Sequence, residues 1–304
     1  MQIAERQVII VKYGIINKPI ATLYECAALT KESDGQILSA IADQALYGML
    51  MEVTGEEENG YLPVNTFYGY TGYVPKEEML LVEEEQARAW EASKLHVVSG
   101  ICVDVMSLPR VQGVCLASLF RGAILAVEEW DFENTGWAKV RLADGTLGYM
   151  RNQFLWEKKF SQEGIFTGKL VQRQITDEEQ FRKAVTETAL LYMGVQYHWA
   201  GRCTAGIDCS GLVSQSYLLN GVLIWRDANI VEGFPVHEIS REDIKPGDML
   251  YFPGHIAMYL GNGDYIHSTG KVGSGGVVIN SLNPESPLYR QDLVDSLYAV
   301  GSIF

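Results

Sequence analysis

The stretch from Tyr197 to Tyr217, YHWAGRCTAGIDCSGLVSQSY, decides how the second half of the chain folds. It runs from an aromatic cluster through a glycine-containing loop to Cys209, and then into an apolar segment that ends at Asn220-Gly221. This pattern predicts a helix that begins near Cys209. A helix N-terminus favours a thiolate through its dipole and its free N–H groups, so Cys209 is a candidate nucleophile.

The neighbours of Cys209 distinguish it from an ordinary core thiol. A lone cysteine in an apolar helix is more often an inert buried residue. Cys209 is flanked instead by the polar residues Asp208 and Ser210. Cys203, earlier in the same loop, has no such neighbours, and we expect it to be structural or incidental.

Length and composition restrict the classes of function. A chain of 304 residues accommodates two or three domains. Its net charge of −14 argues against a nucleic-acid partner, because binding to phosphates requires a basic face. No run approaches about 18 apolar residues, the length that a membrane-spanning helix needs, and residues 1–14 lack the pattern of a secretory signal. We therefore expect no membrane partner and a cytoplasmic location.

The cysteine pattern does not indicate a metal site or a disulfide framework. The five cysteines are odd in number, and they show neither CxxC spacing nor a histidine cluster around them. The sequence therefore predicts reduced thiols and no metal or other cofactor.

The first half of the chain contains an internal repeat. Gly60-Tyr61 corresponds to Gly136-Trp137, and Gly72-Tyr73 corresponds to Gly148-Tyr149 at the same offset. Each copy consists of short alternating runs separated by Gly, Asn and Asp turns, which is typical of strands. The spacing resembles that of bacterial SH3-like domains, and this resemblance implies two small barrels. The charged run VEEEQARAWEASK between them suits a linker or one short helix.

The pattern changes near Gln162. Thr176 and Glu179 form a capping box that predicts the start of a helix. Alternating runs follow the Cys209 helix, and helices followed by an antiparallel sheet indicate an α+β domain. The predicted domains are residues 1–88, 89–160 and 161–304.

Two histidines lie on a predicted hairpin in GHIAMYLGNGDYIHS. If the turn centres on residues 261–263, His255 lies opposite His267 or within a residue or two of it. Opposed side chains on antiparallel strands have Cβ atoms about 4.5–5.5 Å apart. A register shift of one residue would place them on opposite faces, so the sequence leaves their contact open.

Cys209, His255 and His267 supply the residue types that cysteine catalysis requires. A catalytic thiol needs a base, and the base needs a third polar group that fixes its tautomer. The three residues provide these groups in chain order.

The motifs GIDCSGLV, PGDMLYF and GHIAMYLGNGDYIHS, in that order, resemble those of the NlpC family of bacterial cell-wall cysteine peptidases. The resemblance covers about residues 165–304. It implies a multidomain chain in which two all-β SH3-like barrels precede an α+β papain-like peptidase domain. It also implies Cys209 as the nucleophile, His255 as the base and His267 as its orienting group, with the backbone N–H of Cys209 helping to hold the oxyanion.

The paired modules resemble those of γ-D-glutamyl-L-diamino acid endopeptidases within this family. Such enzymes cut peptidoglycan stem peptides between D-glutamate and the diamino acid, which is meso-diaminopimelate or L-lysine. The resemblance therefore implies murein stem peptides such as L-Ala-γ-D-Glu-diaminopimelate as the substrate, and a role in peptide recycling. This chemistry requires no metal.

The chemistry of that substrate suggests residues that bind it. Its free amine needs a carboxylate, and the α-carboxylate of its D-glutamate needs a guanidinium or a hydroxyl. Asp208 is the candidate for the amine, and Arg226 and Ser210 are the candidates for the carboxylate. Tyr197 and Trp199 resemble pocket-lining aromatic residues, although both also suit core packing.

In such relatives the first module closes one side of the cleft and contributes a tyrosine to the amine site. Tyr70 is the candidate here, Tyr68 is the alternative, and Glu25 is a further acidic candidate. A module in this position would admit short free peptides and exclude the intact sacculus.

Two other functions stay open from the sequence. One is a wall-peptide binding protein without catalysis, and the other is an N-acetylmuramoyl-L-alanine amidase or acyltransferase that uses the same Cys–His chemistry. Preferential alkylation of Cys209 would argue against the first, and analysis of the products would separate the second.

Overall fold

The computed structural model describes residues 12–304. Within this range the chain forms two seven-stranded sheets, one six-stranded sheet and two two-stranded sheets, all antiparallel, together with five short α-helices. The expectation that no secretory signal is present depends mainly on residues 1–11, which lie outside the described residues.

The helices are few and short, and most of the regular structure is strand. The strands are β1 (Tyr13–Ile16), β2 (Ile20–Tyr24), β3 (Thr30–Ser33), β4 (Gln36–Ser39), β5 (Ile41–Leu46), β6 (Leu50–Val53), β7 (Tyr61–Thr66), β8 (Thr71–Pro75), β9 (Met79–Val82), β10 (Leu95–Val98), β11 (Cys102–Met106), β12 (Cys115–Phe120), β13 (Ile124–Glu129), β14 (Trp137–Arg141), β15 (Leu147–Arg151), β16 (Leu155–Glu157), β17 (Arg202–Cys203), β18 (Gly206–Ile207), β19 (His237–Ile239), β20 (Met249–Phe252), β21 (His255–Gly261), β22 (Asp264–Thr269), β23 (Gly276–Ser281) and β24 (Ala299–Ser302). The helices are α1 (Glu84–Glu91), α2 (Gly164–Thr167), α3 (Glu178–Leu190), α4 (Cys209–Leu218) and α5 (Gln291–Ser296).

The two seven-stranded sheets have the same topology, which confirms the internal repeat. Their strand orders are β5-β2-β8-β7-β6-β1-β9 and β12-β11-β15-β14-β13-β10-β16. The orders coincide when β1 is matched to β10, because the first sheet differs only by the inserted hairpin β3–β4. We call these sheets the first and second modules. Their description as SH3-like barrels, and the predicted domain boundaries, stay predictions.

The charged run between the modules forms α1, with its apolar face against the first module. Glu83 and Gln86 make a reciprocal capping box at its start. Trp90 is buried, and its indole N–H donates to the carbonyl of Gly48 at 2.9 Å. The run is therefore a packed helix. Glu83, Glu84 and Glu85 face solvent, whereas the Glu91 side chain is buried and pairs with Lys158 at 2.6 Å.

The helix α3 begins one capping position later than the sequence predicts. Its N-cap is Asp177, whose carboxylate accepts the N–H of Gln180 at 2.9 Å. Asp caps a helix at least as well as Thr, so the box of Thr176 and Glu179 is not used. The predicted helix itself is confirmed, and Phe181 packs against Tyr217 of α4.

The six-stranded sheet follows α3 and α4 in the chain, as the α+β prediction requires, and α5 precedes its last strand. Its order is β19-β24-β20-β21-β22-β23. The helix α4 packs against β21 and β22 in one apolar cluster, which includes Leu212, Val213, Ile256, Met258 and Ile266. This packing brings the start of α4 to the hairpin that carries both histidines.

Candidate active site

Cys209 is the first residue of α4, as the sequence predicts. Asp208 is the N-cap, and its carboxylate accepts the N–H of Gly211 at 2.5 Å. A Cβ on Gly211 would lie 2.2 Å from the carbonyl oxygen of Gly201, so only glycine fits this close approach. The start of α4 is therefore fixed by its cap and by tight backbone packing.

The Cys209 thiol is 7% exposed. Burial, followed by the negative charge of Asp208, raises the pKa of Cys209 to about 11, while the backbone N–H groups of Ile256 and Ser210 oppose that shift. Desolvation outweighs the helix N-terminus here. The expectation of a stabilised thiolate is therefore not met, and the thiol needs a base before it can attack.

The loop that leads to Cys209 is held against the histidine hairpin. The hydroxyl of Ser268 donates to the carbonyl of Ile207 at 2.7 Å, and Ile256 and Cys209 belong to the same buried cluster. Ser268 follows His267 and Ile256 follows His255. The structure therefore brings the three candidate catalytic residues to one place.

A β-bulge puts the two histidines on the same face of the sheet. The turn at Asn262-Gly263 has positive φ at both residues, as a tight hairpin turn requires. If the register of this turn continued unbroken, His255 and His267 would point to opposite faces, because side chains alternate along a strand. The ladder shifts at Leu260, which is left out of the pairing. That shift of one residue restores the two histidines to a common face.

A chain of hydrogen bonds runs across three neighbouring strands. His255 Nε2 on β21 lies 2.7 Å from His267 Nδ1 on β22, and His267 Nε2 lies 2.8 Å from Asn280 Oδ1 on β23. The two imidazole planes meet at 74°. The two histidines are therefore in contact, a point that the sequence left open. A third side chain, Asn280, extends the chain of hydrogen bonds.

Burial keeps both imidazoles neutral at neutral pH. Burial, with smaller effects from His267 and Arg290, lowers the pKa of His255 to about 3. Burial also lowers the pKa of His267 to about 4, although its hydrogen bond with Asn280 opposes the shift. A neutral His255 has a ring nitrogen, Nδ1, that its contact with His267 does not use.

A buried cluster of charges joins the first module to the start of α4. Asp43 accepts from Arg202 at 2.7 Å and from Arg226 at 2.6 Å, and Arg226 also donates to Asp208 at 3.1 Å. The hydroxyl of Tyr68 donates to Asp43 at 2.7 Å. Two carboxylates offset two guanidinium groups, which is the condition under which buried charges are tolerated. The cluster therefore fixes the first module beside the residues that flank Cys209.

Arg226 is not free to bind a substrate carboxylate, which corrects the sequence prediction. Its side chain is 1% exposed. All five of its N–H groups have acceptors, which are Asp43, Asp208, the Ser210 hydroxyl and the Gly201 carbonyl. Its role is to connect the first module to both neighbours of Cys209.

The other two residues predicted beside the nucleophile are differently placed. The carboxylate of Asp208 is used by Arg226 and by the cap of α4, so it does not fit the predicted role of amine ligand. The Ser210 oxygen accepts from Arg226 at 2.8 Å. Within the described part of the chain its hydroxyl donates only in a long contact of 3.4 Å to Asp208, so its proton is available to a ligand.

A cavity of about 660 Å³ lies between the first module and the segment that carries α4. Tyr70 from the module and Asp227 from the segment line it, and the Tyr70 hydroxyl is 3.3 Å from the Asp227 carboxylate. Trp225 packs on Tyr70 with ring centroids 5.4 Å apart. Glu25 lies on the same wall and pairs with Lys31. The first module therefore reaches the segment that carries Cys209.

Tyr68, the alternative to Tyr70, does not line this cavity. It is 4% exposed, and the guanidinium of Arg202 lies 4.4 Å from the centre of its ring. Its hydroxyl is used on Asp43. Tyr68 is therefore part of the charged cluster and has no surface for a ligand.

Comparisons with known proteins agree with this geometry. Residues 194–294 match the NlpC/P60 family. Over 265 residues the chain is 40% identical to dipeptidyl-peptidase 6 of Lysinibacillus sphaericus, a match that covers 87% of this chain and 92% of that relative. The chain belongs to the NlpC/P60 family. It is a cysteine peptidase of that family, as its motifs predict.

Two further comparisons concern Bacillus cereus. Its gamma-D-glutamyl-L-lysine dipeptidyl-peptidase is 34% identical over 89 residues, which are 27% of this chain and 26% of that relative. The crystal structure of an NlpC/P60 family protein from this organism has a TM-score of 0.70 at 18% identity, and covers 95% of this chain and 98% of that chain. The similarity to this crystal structure shows a shared fold that includes both N-terminal modules.

The two aromatic residues at the start of the NlpC/P60 match lie in different environments. Tyr197 is half-buried, and burial, followed by the charges of Cys209 and Asp208, raises its pKa to about 12. Its backbone pairs with Ile207, two residues before Cys209. Trp199 is 64% exposed, so it is not a core residue.

Sequence reasoning missed three residues of this NlpC/P60 site. Asp227 follows Arg226 in an Arg-Asp pair that resembles the family, but this pair alone did not assign a role to Asp227. Asn280 had none beyond its place on the strand after the hairpin. Asp43 had no local signal, because its partners lie some 160 to 180 positions further along the chain.

The described part of this NlpC/P60 chain contains no group of three or more His, Cys, Asp or Glu side chains placed to hold a metal ion. All five cysteines are free thiols. No helix among residues 12–304 is long and apolar enough to span a bilayer.

Proposed function

We propose that this protein hydrolyses the γ-D-glutamyl-diamino acid bond of peptidoglycan stem peptides that have a free N-terminal L-alanine, and that it acts in murein peptide recycling. Two kinds of observation support the proposal. The names of its relatives describe dipeptidyl-peptidases, and one of them names the γ-D-glutamyl-L-lysine bond. The cavity beside the site has an acidic wall that suits a peptide amine.

The contact between Tyr70 and Asp227 is the observation that carries the substrate proposal. Asp227 is partly buried, and among residues 12–304 its carboxylate has a hydrogen bond only to the Tyr70 hydroxyl, which is long at 3.3 Å. A protonated amine in the cavity would gain a charge-assisted hydrogen bond from this carboxylate. Asp227 thus takes the role that the sequence assigned to Asp208, and Glu25 adds negative charge on the same wall.

The first module then determines the length of peptide that fits on the amine side. Tyr70 stands on the module, and the module is fixed by the ion pairs of Asp43. In this proposal the free amine of a dipeptide occupies the cavity, and the carbonyl at its other end lies at Cys209. A stem peptide whose L-alanine is still joined to a glycan would meet the wall, so the intact sacculus is not the substrate.

Cys209 attacks the γ-carbonyl carbon of the D-glutamyl residue. His255 Nδ1 accepts the thiol proton as the sulfur–carbon bond forms, and the carbonyl electrons move to oxygen. The backbone N–H of Cys209 stabilises this oxyanion, since the first N–H groups of a helix have no acceptor within it. The hydroxyl of Ser210 donates to the α-carboxylate of the D-glutamyl residue.

Collapse of the tetrahedral intermediate releases the diamino acid. His255 returns its proton to the leaving amine, the carbon–nitrogen bond breaks, and a thioester to Cys209 is left. Water then gives a proton to His255 as its oxygen attacks the thioester carbon. The carbon–sulfur bond breaks, His255 passes the proton to the sulfur, and the dipeptide is freed. His267 holds His255 through both steps, because its ring lies 2.7 Å away.

The test compares two peptides, L-Ala-γ-D-Glu-meso-diaminopimelate and its N-acetylated form. We expect mass spectrometry to show L-Ala-D-Glu and diaminopimelate from the first peptide only. Asp227→Asn should raise KM for the free peptide at least about tenfold, because the amine loses its charge partner. Cleavage of neither peptide, or equal cleavage of both, would refute the proposal.

Matched substrates and variants sharpen this test. The lysine-containing peptide determines which diamino acid is preferred. A muropeptide with its N-acetylmuramoyl group tests for amidase activity, which would release the peptide from the sugar. Cys209→Ala should abolish hydrolysis, whereas Cys115→Ser, at an exposed thiol of the second module, should retain it.

A further inference from the structure

Asn280 lies at the end of the hydrogen-bond chain, and its orientation is fixed independently of the histidines. Its Nδ2 donates to the carbonyl of Leu288 at 3.0 Å. A backbone carbonyl only accepts, so the amide nitrogen must face Leu288 and the amide oxygen must face His267. The distance from Oδ1 to His267 Nε2 is 2.8 Å.

This orientation determines where the protons are on both imidazoles. An amide oxygen only accepts, so His267 Nε2 must have a hydrogen. His267 is neutral, so its Nδ1 is then an acceptor, and the hydrogen in its contact with His255 must belong to His255 Nε2. A neutral His255 that is protonated at Nε2 has an unprotonated Nδ1.

We propose that Asn280 is a positioning residue that sets the tautomers of both histidines, and thereby leaves His255 Nδ1 unprotonated for the Cys209 proton. The inference rests on the proposed function in one respect, since it takes His255 as the base. Asn280 does not touch the substrate and acts only through His267.

The charged groups around His255 and His267 affect their protonation, so it matters that the Asn280 amide has no charge. Arg290 opposes the protonation of both histidines, and Asp292, which pairs with Arg290 and Lys271, favours that of His267. Tyr265, on the same strand as His267, has its ring centroid 5.3 Å from that of His267, and Cys209 shares a buried cluster with Ile256, the residue after His255. Asn280 thus provides an acceptor without adding a negative charge, so the imidazoles stay neutral and ready to accept a proton.

Two variants separate this role from simple anchoring of the Leu288 segment. Asn280→Asp keeps an acceptor for His267 but loses the donor to Leu288, whereas Asn280→Leu loses both at similar volume. We expect Asn280→Leu to lower kcat at least about tenfold with little change in KM, since the base is then partly in the wrong tautomer. We expect Asn280→Asp to keep kcat within about threefold.

The pH profile gives a signature that anchoring would not produce. A carboxylate at position 280 favours the protonated histidine pair, so the acid limb of kcat/KM should move to higher pH by about one unit. Asn283→Ala, in the turn after β23, is the matched control and should leave the profile unchanged. Equal losses in Asn280→Asp and Asn280→Leu, with no shift of the acid limb, would overturn the proposal.

The tautomers can be measured without any substrate. In protein labelled with ¹⁵N-histidine, two-bond ¹H–¹⁵N correlation spectra at pH 7 should show His255 and His267 protonated at Nε2. In Asn280→Leu the His267 signals should shift towards a mixture of tautomers. An Nδ1-protonated His267 in the unmodified protein would overturn the inference even if the peptide is cleaved. If the peptide is not cleaved but the tautomers are as expected, only the proposed function fails.

Discussion

Arg226 Nε donates to Asp43 Oδ1 at 2.6 Å, across the boundary between the first module and the segment that carries Cys209. Burial alone would raise the pKa of Asp43, but Arg202 and Arg226 bring it below its ordinary value. The carboxylate is therefore ionised in the folded protein. Because Arg226 also holds Asp208 and Ser210, the position of the first module is coupled to the helix start at the nucleophile.

Asp43→Asn should lower the free energy of unfolding by about 3–5 kcal/mol, because it leaves two buried guanidinium groups with one carboxylate fewer. Urea denaturation at pH 7, followed by circular dichroism, measures the change. Glu57→Gln breaks the exposed pair with Lys76 and is the matched control, with an expected loss below about 1 kcal/mol. Equal losses in the two variants would show that the buried cluster is not an important anchor.

Binding of the free-amine peptide should weaken as the pH falls. Burial raises the pKa of Asp227, although Arg226 opposes the shift. The ionised carboxylate binds the amine, so affinity is complete above that raised pKa and is lost below it. The amine itself loses its proton above about pH 8, so KM should be lowest between the two limits.

Asp227→Asn should remove the acid-side rise in KM and keep the alkaline one. Tyr70→Phe should leave the position of both limbs nearly unchanged while raising KM about threefold, since it removes one neutral hydrogen bond. KM measured from pH 5 to pH 9 tests this. If KM of Asp227→Asn still rises at low pH, another group causes that rise.

Iodoacetamide should modify Cys209 slowly at neutral pH. Burial raises the pKa of this thiol to about 11, so the thiolate fraction, and with it the rate, should increase about tenfold per pH unit between pH 6 and pH 9. Peptide mapping separates Cys209 from the exposed Cys102 and Cys115. His255→Ala should leave the profile unchanged. An alkylation rate that does not change with pH above pH 6 would instead indicate that Cys209 and His255 form a thiolate–imidazolium pair.

The protein should lose stability as the pH falls from about 6.5 towards 4. Both histidines have lowered folded-state pKa values, about 3 for His255 and about 4 for His267. The unfolded chain therefore binds more protons in this window, and each histidine lowers the free energy of unfolding by up to about 1.4 kcal/mol per pH unit. Carboxylates with lowered pKa values, such as Asp43, act in the same direction only at lower pH.

Urea denaturation at pH 7 and at pH 5 measures this slope. His267→Gln should reduce it, because one buried group that resists protonation is gone. His237→Gln, at an exposed histidine, is the control and should leave the slope as it is. The same slope in all three proteins would mean that the histidine pair does not cause the acid sensitivity.

Local sequence patterns were enough to predict much of this site. The helix start at Cys209 follows from a capping aspartate and an apolar run, and both are properties of a few consecutive residues. The hairpin follows from the turn Gly261 to Gly263 in the same way. The ordered motifs also gave the family. The contact between His255 and His267 was not determined, because it depends on a single unpaired residue, Leu260, that no local pattern marks.

The sequence by itself determined the nucleophile loop, the hairpin, the repeated β modules and the family, because each depends on residues that are close together in the chain or on an ordered set of motifs. Only the tertiary structure decided that Arg226 is a buried link to Asp43 and that Tyr70 faces Asp227. It also decided that Asn280 completes the histidine chain. These contacts join residues on separate elements, and burial among them determines which groups are left free for a ligand.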